Sequence, residues 1–138
     1  MKVHTTNYIN TFIEVAEDCP ATTGQIPPLK PGLKTLANLQ YELISGQPYR
    51  FTSDELLLQV YAERNQLGPG ELEAAGKELF SKGQPCLRSS ALAKRYGWGF
   101  HHNESGKVAM FGVDTREYQK LLADPQLAKV KAMRTSKK

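Results

Sequence analysis

Residues 98–113, WGFHHNESGKVAMFGV, decide the fold class. Two apolar-rich runs, Trp98–His102 and Lys107–Val113, flank the polar turn Asn103-Glu104-Ser105-Gly106. A short polar loop closing on glycine predicts an antiparallel hairpin. Strand periodicity puts Ala109, Phe111 and Val113 on one face of the second strand and Val108 and Met110 on the other. In the first strand Trp98, Phe100 and His102 share a face, and Gly97, Gly99 and His101 fall opposite. The glycines leave that second face bare, open either to a ligand or to a packed helix.

Outward from the hairpin the pattern becomes helical. Asp114 with Glu117 has capping-box spacing and predicts a helix to about Leu122, broken at Asp124-Pro125. Leu127, Val130 and Met133 then suggest a last weak turn. Upstream, Ser89 or Ser90 caps a short helix running to Tyr96, with Gly97 ending it. A helix at about 71–80 offers Leu72, Ala75, Leu79 and Phe80 to the core. The segment 67–70, LGPG, separates it from a helix at about 53–65, started by a Thr52/Glu55 capping box, with Leu56, Val60 and Leu67 in line and Leu57 and Tyr61 beside them. Thr35 precedes another helix carrying Leu36, Leu39, Leu43 and Ile44, stopped by Gly46 and Pro48.

At the other end, residues 8–15 (YINTFIEV) alternate as a strand, with Ile9, Thr11, Ile13 and Val15 on one face. The stretch that follows, EDCPATTGQIPPLKPGLK, holds four prolines and two glycines and reads as a long loop. Such a loop either wraps the core, through Ile26 and Leu29, or borders a site. There is no repeat and no linker. The expectation is one α+β domain over residues 1–128, a small antiparallel sheet covered by several short helices, followed by a flexible basic tail at 129–138.

The chain of 138 residues is 40% hydrophobic and 23% charged, which suits a single globular domain. No run approaches the roughly 20 apolar residues that span a bilayer, and MKVHTTNY lacks the apolar core of a secretion signal, so a cytoplasmic, membrane-free protein is expected. The net charge of +4 is unevenly spread. Residues 129–138 carry five basic and no acidic groups; residues 1–76 sum to −4 and residues 77–128 to +3. Two cysteines, Cys19 and Cys86, sit beside prolines and form no Cys-x-x-Cys pair. They read as unbridged thiols. No metal site and no cofactor are expected, and phosphate loops, dinucleotide fingerprints, HExxH and serine elbows are absent.

Candidate function concentrates in Lys82–His102, KGQPCLRSSALAKRYGWGFHH. Arg88 and Arg95, with Ser89 at a helix start, could converge on an anion. Trp98 and His101 add an aromatic and a titratable neighbour, so Arg88, Ser89, Arg95, Trp98 and His101 are the candidate ligand-binding residues. Cys86 with His101 or His102 is the candidate catalytic pair, since a thiolate needs a nearby base or positive field. The helix pair at 53–80 fails as a helix-turn-helix, because Glu71, Glu73 and Glu78 would face phosphates.

The stretches HTTNYINTFIEVAEDCP, IPPLKPGLKTLANLQYEL, FSKGQPCLRSSALAKRYGWGFHH and KAMR together resemble a family of small uncharacterised bacterial proteins of about this length, a domain of unknown function. The resemblance covers nearly the whole chain. It implies a bacterial, single-domain, cytoplasmic protein and assigns no activity. The functional expectation is therefore a small cytoplasmic domain that binds an anionic ligand or a protein partner around residues 86–102. The alternatives are a cysteine-dependent hydrolase or transferase using Cys86, and nucleic-acid binding by the basic C-terminal half. Oligomeric state is left open.

Overall fold

The computed structural model describes residues 5–29, 32, 34–84 and 86–134. The hairpin forms as expected, with β2 at Trp98–His102 paired antiparallel to β3 at Val108–Gly112. β2 also pairs antiparallel with β1, Thr11–Glu14, through Thr11 opposite His102 and Ile13 opposite Phe100. β1 is shorter than the alternating segment around it. Asn10 takes φ 50°, which interrupts the extended backbone and turns Ile9 out to solvent.

A fourth strand makes the sheet mixed rather than antiparallel. Residues Ala128–Lys131 form β4, which runs parallel to β1 and gives the order β3-β2-β1-β4. The expected weak turn around Leu127–Met133 is thus extended chain, and the start of the 129–138 segment belongs to the sheet. Its alternation explains this: Val130 lies opposite Ile13 and faces the core, while Lys129 and Lys131 occupy the other face. The ion pair of Lys131 with Glu17, at 3.2 Å, holds the strand end at the surface. Residues 135–138 of the expected tail lie outside the described residues.

Helices cover one face of the sheet: α1 at Leu36–Gly46, α2 at Ser53–Asn65, α3 at Leu72–Leu79 and α4 at Ala91–Lys94. Thr35 and Thr52 close capping boxes on α1 and α2 with Asn38 and Glu55. The core lies beneath them, built from Ile13, Ile44, Leu56, Leu87, Leu92 and Phe100. α3 differs from its expected core role: none of its residues is buried, and it packs mainly along α2. The long loop is not held by Ile26 and Leu29, each 68% exposed. Hydrogen bonds hold it instead: Gln25 N–H to the Tyr96 carbonyl at 2.8 Å, and Asn38 Nδ2 to the carbonyls of Pro27 and Pro28. Backbone groups tie down this proline-rich segment while Ile26 and Leu29 face water and Ala21 and Pro27 are buried.

The other face carries one helix, α5 at Arg116–Ala123, capped by Thr115 rather than Asp114. Asp114 instead accepts the Gly24 N–H at 3.1 Å. Tyr118 of α5 stands edge-on to Phe12, ring centroids 4.9 Å apart, and its hydroxyl accepts the Val15 N–H at 3.0 Å. The bare face at Gly99 is therefore filled by a packed helix. A β-carbon there would sit 2.7 Å from Tyr118 Cε2, 2.8 Å from Phe12 Cζ and 3.0 Å from the Ile13 carbonyl oxygen.

Gly99→Ala is accordingly expected to destabilise the protein by about 1–3 kcal/mol, the usual cost of overpacking. Equilibrium urea unfolding checks this: a lowered midpoint at unchanged slope is the predicted result.

Candidate ligand-binding groove

The apolar side chains of α2 extend beyond those the core buries. Leu56 and Val60 are buried beneath the helix. Leu57, Val60, Tyr61 and Arg64 follow at helical spacing along one flank and form one wall of a cavity of about 530 Å³. Leu36 and Gln40 of α1 and Leu79 of α3 contribute further walls. Gln84, Cys86, Ser89 and Ser90 complete it from the segment before α4. The size suits a small molecule, and the lining is an apolar body with a few polar groups.

The segment 86–90 is positioned by buried neighbours. Leu87, which opens the turn Leu87–Ser89, and Leu92 beyond it are fully buried anchors. Ser90 caps α4 through the Leu92 N–H and donates to Gln40 Oε1 at 2.6 Å, both residues being buried. Arg88 Nε donates to the Lys131 carbonyl at 2.7 Å, and the Met133 N–H returns a bond to the Arg88 carbonyl at 2.8 Å. The wall is thus tied to α1 on one side and to the end of β4 on the other.

A second chamber of about 490 Å³ adjoins the groove and shares Gln84, Cys86 and Ser89 with it. Its outer wall is the N-terminal strap, Thr5–Tyr8. Asp54, in the first turn of α2, accepts bonds from Thr5 Oγ1, Thr6 N–H and Thr6 Oγ1, each at 2.7 Å. Asn7 Oδ1 accepts the Asp54 N–H at 2.8 Å. A carboxylate at a helix start is favoured by the dipole, so the latch suits both partners.

Cys86 lies where the two spaces meet. Its sulfur is 3.4 Å from Tyr8 Oη. Burial, and then the neighbouring thiol, push the Tyr8 hydroxyl above the ordinary phenol range. The Tyr8 ring stands edge-on to His102, centroids 5.3 Å apart. The group beside Cys86 is therefore a phenol, with His102 behind it.

The remaining candidates are spread across the sheet. Ser89 lines both cavities, and Arg88 flanks them beside Tyr8. Arg95 is exposed just after α4. Trp98, about 13 Å along β2 from His102 at strand rise, packs against Tyr41 and donates Nε1–H to the Gln25 carbonyl at 2.8 Å. His101 is on the opposite face from His102, its Nδ1 2.8 Å from Tyr49 Oη. The structure brings Cys86, Arg88 and Ser89 together and leaves Arg95, Trp98 and His101 apart from them. It adds Tyr8, Gln84 and the α2 flank. The signal for that flank was in the sequence: Leu57 and Tyr61 lie beside an already complete Leu56–Val60 core line. Among the described residues no group of three or more His, Cys, Asp or Glu side chains could hold a metal ion.

His102 is fully buried, and neither ring nitrogen has a hydrogen-bond partner among the described residues. Burial, and then the nearby His101, lower its pKa from 6.5 to about 4; the backbone of Thr11 and Phe100 pulls weakly the other way without completing a bond. The imidazole is neutral in the fold and takes a proton more readily once unfolded. Its contribution is fully present above pH 6.5 and is lost as pH falls towards 4, a change of about 3 kcal/mol. Replacing it, as in His102→Phe, is expected to flatten the stability profile over that window, as read by urea unfolding at a series of pH values. An unchanged slope would contradict the assignment.

Among the described residues no helix is long and apolar enough to cross a membrane. No curated protein and no solved structure matches the chain. Comparison with protein families matches residues 3–138 to a family of unknown function, DUF6157. That match takes in the strap, the sheet, the α2 flank and the Cys86–Ser90 wall alike, and the chain belongs to that family.

Proposed function

We propose that the protein is a small ligand-binding domain whose site is the groove between α1, α2, α3 and the Cys86–Ser90 wall. One observation carries this reading: among the described residues an apolar trough of small-molecule size is lined by a single cation, Arg64, and by no carboxylate. Leu36, Leu57, Val60 and Leu79 would cover an apolar body. Arg64, with Asn65 beside it, offers donors for an anionic end, for which a guanidinium fork is well suited. The reading keeps the anionic ligand expected from the sequence and moves its charge partner from the Arg88–Arg95 segment to the last turn of α2.

Decanoate is the simplest probe with both features. Isothermal titration is expected to give saturable one-site binding. Leu57→Trp, which fills the trough, is expected to abolish the heat of binding. Arg64→Gln is expected to weaken affinity roughly fivefold, or about 1 kcal/mol, the order of one solvent-exposed ion pair. Decanoate binding that Leu57→Trp leaves intact would contradict the proposal, as would no binding at all.

A further inference from the structure

We infer that the ligand is bifunctional: its apolar body lies along α2, and its far end passes Cys86 into the second chamber and finishes in an uncharged hydrogen-bonding group. This rests on the groove reading above and specifies the class of molecule.

The two spaces adjoin, because Gln84, Cys86 and Ser89 border both. Helix α2 provides its ruler. The strap that walls the chamber is latched to Asp54 in the first turn of α2, and Arg64 stands in the last. Ten residues of α-helix rise about 15 Å. Along that length the surface changes from polar, at Thr6 and Asn7, to apolar, at Leu57 and Val60, and back to polar at Arg64. A ligand matching this order is an extended chain with a different polar group at each end.

The chemistry of the chamber sets the second end. Its lining is hydroxyl, amide, thiol and thioether, without a charged side chain among the described residues. These groups can donate to and accept from a neutral hydroxyl or amide. A second anion would enter beside the Asp54 carboxylate, which already accepts three bonds from the strap, with no cation in the lining among the described residues. Arg88 stands outside that lining, behind Tyr8, with its Nε given to the Lys131 carbonyl.

The test compares decanoate, ω-hydroxydecanoate and the dicarboxylate sebacate by isothermal titration on the full chain. The ω-hydroxy acid is expected to bind about tenfold more tightly than decanoate, the order of one added hydrogen bond, and sebacate no more tightly than decanoate. Tyr8→Phe is expected to reduce the preference, read as the ratio of the two affinities, to less than about threefold. Ser89→Ala, at the half-exposed turn, is read by the same ratio if Tyr8→Phe does not fold. Equal affinity for decanoate and its ω-hydroxy form, or a preference for sebacate, overturns this inference and leaves the groove reading standing. Failure of all three to bind removes both. A preference undiminished in both variants overturns the assignment of the far end to the chamber.

Discussion

Strand β1 is hydrogen-bonded along both edges, antiparallel to β2 and parallel to β4, and the rest of the architecture depends on that double pairing. It joins the first dozen residues of the chain to strands near its end. Closing so large a loop costs conformational entropy, and burial of Phe12, Ile13 and Phe100, all fully inaccessible, opposes that cost. Because β1 is central, both its faces are covered: Ile13 lies under the main core and Phe12 under Tyr118.

The groove follows from the same constraint. Asn10 turns the chain ahead of β1, and the preceding strap meets the start of α2 at Asp54. Beyond β4, Met133 bonds back to Arg88 and fixes the turn that carries Cys86 and Ser89. Segments from the two ends of the chain therefore meet around a cavity that neither could form alone. His102 sits beneath this junction without a polar partner among the described residues, against the ring of Tyr8. Buried unpaired nitrogen is costly in any fold, and protonation of His102 adds to that cost as pH falls.

Local signals in the sequence carried most of the elements. The polar turn at Asn103–Gly106 and the Thr52/Glu55 capping box act over a few residues, and the structure holds both as read. Non-local pairing was harder to read. Ala128–Lys131 has the alternation of a strand, but four residues with two lysines carry little periodic signal, and only pairing with the edge of β1 opposite β2 makes them extended. Gly99 shows the same limit: a bare strand face is visible in sequence, whereas its filling by Tyr118 depends on where α5 packs. For the site, the sequence pointed to residues 86–102, of which Cys86 and Ser89 border both cavities while Arg95, Trp98 and His101 lie elsewhere. The α2 wall and the strap come from distant parts of the chain and meet it only through the sheet.

Whether the α2 flank and the Cys86–Ser90 wall form one ligand site is tested by a two-dimensional NMR titration of isotope-labelled protein with decanoate. Saturable shifts confined to Leu36, Leu57, Tyr61, Arg64, Cys86 and Ser89 are expected, with the Trp98 indole and His101 unmoved. Shifts centred on Arg95, Trp98 and His101, or scattered over the surface without saturation, would contradict a single site there.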